Sequence, residues 1–305
     1  MWLLTCLSPR PIPIAFTCGS MPGLLANEIA EPLRAKYVDL MQRIGSAESA
    51  LVAFSGGVDS ALLAFLAHQA LGDRALAITA DSPSVPRRQL EEATRFAVTL
   101  GLPHEIITTD EVDDPQYQEN AGNRCFFCKT ELYGKMQQMA KERGYALVFD
   151  GTNADDGGDH RPGMTAAEQH HVHSPLLEAG LDKADIRSLS QLAELPTWDK
   201  PASACLASRV AYGIEVTSDV LARIEQGEEA VREMGFRQFR VRHHGNLVRI
   251  EVSPDELPRA LDPQMAARLV TVFKGLGYAF VSLDLEGYRS GSLNAALLQI
   301  SDPAE

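Results

Sequence analysis

The sequence predicts a doubly wound α/β fold with a mostly parallel sheet, followed by a smaller α+β unit, and three observations predict it. Short apolar runs at 50–54, 75–80, 104–108 and 146–150 alternate with longer stretches free of chain breakers, the pattern of buried parallel strands joined by helices. A glycine turn, Ser55-Gly56-Gly57, follows the first run at once and opens into an apolar stretch that lasts to Gly72, which reads as strand, turn and helix. Beyond about residue 215 the pattern changes to period two on either side of Gly245-Asn246, which reads as a hairpin.

Taken in order, apolar residues near a 3.6 spacing predict a helix over 25–44, with Gly45 as its stop and Pro32 as a kink or the true first turn. The next helices are expected over 61–71, 87–100 and 129–143, closed by Gly72, Gly101 and Gly144. The fourth strand, 146–150, runs into Gly151-Thr152-Asn153. In the second unit, a charged amphipathic helix over 219–234 precedes the hairpin strands 238–244 and 247–252; a helix over 263–276 and a strand over 278–283 complete it. The expected organisation is an extension over 1–24, a nucleotide-binding domain over 25–212, and an α+β substrate or oligomerisation domain over 213–305.

The chain of 305 residues carries a net charge of −13, which argues against coating nucleic acid through a broad basic surface. It leaves room for one small anion in a local nest of arginines. The first twenty residues are apolar but broken by Pro9, Pro11 and Pro13 and lack a leading basic run, so they make a poor secretory signal and no membrane span. They read as an extension ahead of a start at Met21. Of five cysteines, Cys6 and Cys18 lie in that extension, and Cys125, Cys128 and Cys205 lie in the body. An odd set with one tight pair suits a reducing compartment, hence the cytoplasm, and a metal or redox role.

In Ser55-Gly56-Gly57-Val58-Asp59-Ser60 the glycines admit close approach of a ligand, and the first N–H groups of the following helix attract phosphate oxygens. Ser55 and Ser60 add hydroxyl donors, and Asp59 would hold the loop or coordinate Mg²⁺. No Gly-Lys-Ser/Thr is present, so this is not a Walker A loop. The motif resembles the pyrophosphate loop of the adenine-nucleotide α-hydrolase, or PP-loop, superfamily, whose members split ATP between its α and β phosphates. That resemblance implies ATP and Mg²⁺, with Ser55, Gly56, Gly57, Asp59 and Ser60 holding pyrophosphate and Asp81 and Ser82 receiving adenosine. Gly151, Asp155 and Asp156 end the fourth strand on the same sheet edge, where the carboxylates would bind Mg²⁺, orient a ribose or cap a helix.

Cys125-Phe-Phe-Cys128 with Cys205 allows four readings. They are zinc with a fourth ligand, a [4Fe–4S] cluster on three thiolates with one open iron, a persulfide or disulfide relay, and plain buried thiols. Arg124, Lys129 and Arg209 flank the cysteines and would favour thiolate if close in space. The alternation in strand 238–244 sends Arg240, Arg242 and His244 to one side, where Arg249 joins them, either as an anion site or as a solvated face balanced by Glu251. His160, His170, His171 and His173 read as surface or packing residues, and Trp198 as a stacking platform or core.

Asn123-Arg-Cys-Phe-Phe-Cys-Lys, Gly151-Thr-Asn-Ala-Asp-Asp, Arg161-Pro-Gly, Ser174-Pro-Leu-Leu-Glu-Ala-Gly, Trp198-Asp-Lys-Pro-Ala, Cys205-Leu-Ala-Ser-Arg and Arg240-Val-Arg-His-His-Gly occur in this order. Together they resemble the LarE family of ATP-dependent sulfur transferases, across about residues 25 to 291. The resemblance implies adenylation of a carboxylate on pyridinium-3,5-biscarboxylic acid mononucleotide, then sulfur transfer to give a thiocarboxylate for a nickel-pincer nucleotide cofactor. It implies catalytic roles for Cys205, Arg209 and Asp59, and substrate contacts from Arg209, Arg240, Arg242 and Trp198. One branch of the family sacrifices the cysteine matching Cys205; the other holds a [4Fe–4S] cluster on three cysteines, here Cys125, Cys128 and Cys205, and this chain resembles the second. A sulfide-donor protein and a homo-oligomer are the implied partners. A tRNA thiolation enzyme is the main rival, but it calls for a basic face that the sequence lacks. An ATP-dependent amidotransferase or ligase is the other.

Overall fold

The computed structural model describes residues 29–158, 162–201 and 203–289. The expected extension over 1–24, Met21, Cys6, Cys18, His160 and Arg161 lie outside the described residues. The four expected strands form one parallel sheet, β1 (Ala50–Ala53), β2 (Ala75–Asp81), β3 (His104–Thr108) and β4 (Leu147–Phe149), in the order β3-β2-β1-β4. Helices α1 (Leu33–Gly45), α2 (Val58–Leu71) and α3 (Arg87–Leu100) cover one face, and α4 (Arg124–Arg143) and α5 (Pro162–Gln169) the other.

The alternation of side chains along a strand explains the two faces. Ala50 and Val52 join α1 and α2 in the first core, whereas Leu51 between them joins Ile78, Val148, Tyr133 and Met136 in the second. Helix α2 is buried nearly all round, Leu62, Leu63 and Leu66 being inaccessible, because α1 and α6 (Lys183–Leu192) cover the side that the sheet does not.

Two helix starts differ from the sequence reading. α1 begins at Leu33 with Pro32 as its N-cap, since a proline without an N–H is tolerated only at a helix entrance. α4 begins at Arg124, five residues earlier than expected, so both body cysteines of the pair are helical. Packing extends it: Phe126 sits against the core beneath the sheet and Phe127 against that of the C-terminal region.

The C-terminal region builds a smaller mixed sheet. β5 (Phe239–His244) and β6 (Leu247–Val252) are antiparallel, with Arg242 opposite Arg249, and β7 (Phe280–Leu283) lies parallel to β6. Val241, Val248 and Ile250 face α7 (Ser218–Glu233) and α8 (Pro263–Gly275) in one core. Thr217 caps α7 by accepting from the Val220 N–H at 3.3 Å. No helix among the described residues is long and apolar enough to cross a membrane.

Gly227 is where α7 meets α8: a Cβ placed on it would stand 2.6 Å from the buried ring of Phe273. Gly227→Ala should therefore lower the denaturation midpoint. Overpacking costs about 1–3 kcal/mol, only partly offset by about 1 kcal/mol of helix propensity; an unchanged or raised midpoint in urea would show that the ring yields freely.

Candidate active site

The connections β1 to β2 to β3 run one way along the sheet, and β4 returns to the far side of β1. The crevice between β1 and β4 is therefore the topological switch point, where open α/β sheets bind ligands beyond the carboxyl ends of their strands. Ser55, Gly56 and Gly57 leave β1 there, and Gly57 is the extended N-cap of α2. Gly56 has φ +71°, and a Cβ on it would lie 3.0 Å from that of Ala93, so both conformation and space call for glycine. At the end of β4, Gly151 approaches so closely that a Cβ would meet the Ser60 nitrogen at 3.0 Å. The Ser60 hydroxyl braces the turn, donating to the Gly57 carbonyl at 3.2 Å and accepting from the Ser55 N–H at 3.2 Å. The open N–H groups at the start of a 14-residue helix leave this turn suited to an anion.

A cavity of about 390 Å³ opens from the turn, a size that suits a nucleotide-scale ligand. Ser55, Asp59 and Ser60 form one end, and Ile78, Val85, Pro86, Leu90 and Leu132 an apolar wall. Asp150, Gly151, Thr152 and Asp156 lie along the β4 side, and Cys128 and Cys205 close another. Asp59 is held by Lys183, whose Nζ is 2.5 Å from both carboxylate oxygens.

Other expected residues lie just off the cavity. Asp81 pairs with Arg87, and the buried Ser82 hydroxyl donates to Glu111 at 2.7 Å; it is Ile78, Thr79 and Ala80 that line the wall at this strand end. Asp155 accepts the Lys183 backbone N–H at 2.9 Å, at the entrance of α6, while its neighbour Asp156 faces the cavity. Trp198 is 41% exposed and lines no part of it.

Cys125 and Cys128 are three residues apart in the first turns of α4, on one helical face, and Cys205 is the N-cap of the short turn Leu206–Arg209. All three are free thiols. Burial, then the charges of Glu111, Cys205 and Cys125, raises the Cys128 thiol well above its ordinary range against the pull of Arg124. Crowding by surrounding atoms, then Cys205, raises Cys125, although that residue reaches solvent; Arg124 and Lys129 oppose this. The expected bias toward thiolate is thus reversed for this pair, because burial and mutual repulsion outweigh the flanking cations.

Cys125 lies one helical turn from Cys128, and Cys128 and Cys205 line the same cavity. Among the described residues no three His, Cys, Asp or Glu side chains are placed to hold a single metal ion, so the site offers no zinc cage there. A four-iron cube makes a different demand, since it takes its thiolates at separate corners. Three thiols are the kind of donor such a cluster takes; Cys128 and Cys205 line the cavity, and Cys125 does not.

Arg209 is buried and fully engaged. Its Nε and Nη2 donate to Glu228 at 2.9 and 3.3 Å, and its Nη1 to the carbonyls of Ala204 and Cys205 at 2.6 and 2.9 Å. It therefore pins the turn that carries Cys205. From β5, Arg242 donates to the Ser208 carbonyl at 3.0 Å and to Glu251 at 2.9 Å, and Glu251 also accepts from Arg249 at 3.1 Å. This side of the sheet is a buried ion network and not a solvated face, Glu251 being inaccessible. Arg240 lies over the Tyr288 ring at 4.9 Å and donates to the Phe239 carbonyl at 2.7 Å; burial, then the charge of Arg209, lowers its pKa.

Several contacts at the site are not expected from the sequence. Tyr133 donates to Asp150 at 2.6 Å, and Lys129 approaches the same carboxylate at 3.7 Å. Lys200 donates to the Gly56 carbonyl at 3.0 Å. Asp150, a polar residue at a strand end, could have been found from its position; Lys183 and Gln89 sit on helices that look like ordinary solvated faces. Of the four histidines grouped in the sequence, His170, His171 and His173 lie outside the cavity lining, with His173 bridged to Phe149 in the backbone.

The NAD synthase family model matches residues 33–143, from α1 through α4. The uncharacterized protein slr1717 of Synechocystis sp. is 44% identical over 265 residues, 87% of this chain and 99% of that protein. The pyridinium-3,5-bisthiocarboxylic acid mononucleotide synthase of Lactiplantibacillus plantarum is 33% identical over 266 residues, 87% of this chain and 96% of that protein. The chain belongs to the family of that synthase, within the PP-loop/NAD-synthase superfamily. The uncharacterized protein MJ0830 of Methanocaldococcus jannaschii is 30% identical over 240 residues, 79% of this chain and 90% of that protein. Family membership gives the chain a PP-loop ATPase domain, which supports an ATP-using enzymatic activity.

Thr79, on the cavity wall, donates to the Phe54 carbonyl at 2.7 Å and accepts from His104 Nε2 at 2.8 Å; its one proton being used, the imidazole must be the donor. Burial lowers the His104 pKa, and also, as the leading cause, those of His243 and His244. Their contribution to stability is full above the ordinary histidine pKa of about 6.5 and is lost as pH falls through the lowered values. Urea midpoints should therefore fall as pH drops below about 6.5, and His104→Gln should flatten that slope; a slope unchanged in the variant would remove His104 as a contributor.

Proposed function

We propose that the chain uses Mg·ATP to adenylate a carboxylate of pyridinium-3,5-biscarboxylic acid mononucleotide and then replaces the adenylate by sulfur, giving a thiocarboxylate. The observation that carries this reading is that the phosphate turn and two of the thiols, Cys128 and Cys205, line one cavity. An acyl-adenylate formed at the turn would meet its sulfur nucleophile without leaving the site or meeting bulk water.

A carboxylate is a poor acyl electrophile because its leaving group would be oxide. In the proposed reaction its oxygen attacks the α-phosphorus and the bond to pyrophosphate breaks. The α2 N–H groups with Ser55 and Ser60 would hold the departing pyrophosphate. Sulfur then adds to the acyl carbon and AMP leaves with the original oxygen, so one oxygen is exchanged for one sulfur. Asp59 and Asp156 would hold Mg²⁺, which requires Asp59 to release Lys183. Arg240 would attract the anionic mononucleotide, while Arg209 and Arg242, each paired with a buried glutamate, would act by holding the Cys205 turn.

Cys125, Cys128 and Cys205 would hold a [4Fe–4S] cluster, which when bound supplies an open iron able to carry sulfide. The similarity to the bisthiocarboxylic acid synthase supports this substrate class, and the presence of three body cysteines, two of them lining the cavity, is what speaks for the cluster.

The test is anaerobic turnover with ATP, Mg²⁺ and the biscarboxylated mononucleotide, with iron and sulfide analysis and mass measurement of product and protein. Wild type should release AMP and pyrophosphate and yield thiocarboxylate. Cys205→Ala should keep first-turnover pyrophosphate release within about threefold while losing the thiocarboxylate, because it removes only the second step. Thiocarboxylate formed at the wild-type rate by Cys205→Ala would overturn the assignment. Iron-free protein that loses the mass of H₂S from Cys205 would move the sulfur source to that residue.

A further inference from the structure

Two carbonyls of the phosphate turn are held from behind. Gln89 on α3 donates its amide N–H to the Ser55 carbonyl at 3.1 Å, and Lys200 donates to the Gly56 carbonyl at 3.0 Å. In a trans peptide the C=O and the next N–H point in opposite directions. Fixing the Ser55 and Gly56 carbonyls therefore aims the N–H groups of Gly56 and Gly57; the second donates at long range to the Ser55 hydroxyl, at 3.4 Å, and an anion in the turn would replace that bond.

The same two side chains lead to the cysteine segment. The other amide atom of Gln89, its oxygen, accepts from the Ser203 hydroxyl at 3.1 Å, two residues before Cys205. A carbonyl partner on one side and a hydroxyl on the other determine which way the amide faces. Lys200 starts this segment and also pairs with Glu92 at 3.0 Å, one turn along α3 from Gln89. Cys205 is also anchored independently on both sides, by the Leu206 N–H on the Ser84 carbonyl at 2.8 Å and by Arg209 Nη1 on the carbonyls of Ala204 and Cys205 at 2.6 and 2.9 Å. That leaves Ser203 as the part of the segment tied to the turn, through Gln89, and as the tie nearest to Cys205 on its N-terminal side.

We infer that Gln89 is a positioning residue that couples occupancy of the phosphate turn to the placement of Cys205. It rests on the proposed nucleotide chemistry at this turn. An anion that orders the Gly56 and Gly57 peptides strengthens the Ser55 carbonyl as an acceptor, holds Gln89, and through Ser203 holds the Cys205 segment against the cavity. Sulfur chemistry is thereby made responsive to whether phosphate groups are in place, without contact between the anion and the thiol.

The probe is inorganic pyrophosphate with Mg²⁺, which fills the turn alone. The readout is the rate of iodoacetamide labelling at Cys205 in the metal-free full-length chain, resolved by peptide mass. In wild type, saturating pyrophosphate should slow labelling about fivefold, the factor expected of one ordinary hydrogen bond. Ser203→Ala should weaken pyrophosphate binding by no more than about fivefold, the reciprocal of the same coupling, and at saturating pyrophosphate lose that protection. Gln89→Leu should lose it as well and bind pyrophosphate more weakly, since it also frees the Ser55 carbonyl. Protection retained by Ser203→Ala would assign the effect to direct shielding and overturn the inference, as would wild type that binds pyrophosphate with no change at Cys205. Wild type that binds no pyrophosphate would instead remove the nucleotide reading itself, and this inference with it.

Discussion

Ala50 pairs with Ala75 on one side and with Leu147 on the other, in parallel register, so β1, β2 and β4 all release their chains at one edge of the sheet. Parallel pairing requires a crossover for each connection, and the reversal of direction between β3 and β4 leaves a crevice beside β1. Every element of the site is a consequence: the turn that opens α2, the apolar wall after β2, and Gly151 pressed against the Ser60 backbone. A side chain at Gly56 or Gly151 would push these chain ends apart before any ligand arrived.

The second constraint is the joint between the two sheets. The C-terminal core reaches back to Val112, Tyr117, Phe127 and the flanks of Cys128 and Cys205, so the thiols lie where an apolar core meets a polar cavity. The Arg209–Glu228 and Arg242–Glu251 pairs stitch the Cys205 turn to α7 and β6. Buried pairs of this kind add little net stability, because desolvation offsets their attraction. Their effect here is geometric, since each guanidinium spans from a carboxylate to a carbonyl of the turn.

Much of the fold was legible because the signals were local. The strand runs, the glycine stops and the Gly245-Asn246 turn each depend on a few adjacent residues. The start of α4 was not, since Phe126 and Phe127 pack on different cores and neither core is visible in a window of sequence. The phosphate turn could be read for the same local reason: its glycines and serines act through their own backbone. Asp81 and Ser82 were close in the chain to the cavity wall, yet Arg87 and Glu111 draw them away.

The sequence by itself determined the order of strands and helices, the glycine turn between β1 and α2, and the presence of three thiols in the body of the chain. These follow from periodicity, glycine conformation and residue identity. Only the tertiary structure decided that Cys128 and Cys205 share a cavity with that turn, that Arg209 and Arg242 act as struts, and that Gln89 and Lys200 link the turn to the cysteine segment. Such facts depend on which side chains meet between segments distant in the chain, as Lys200 meets Gly56 and Ser203 meets Gln89, and on the C-terminal core reaching back to Val112, Tyr117 and Phe127.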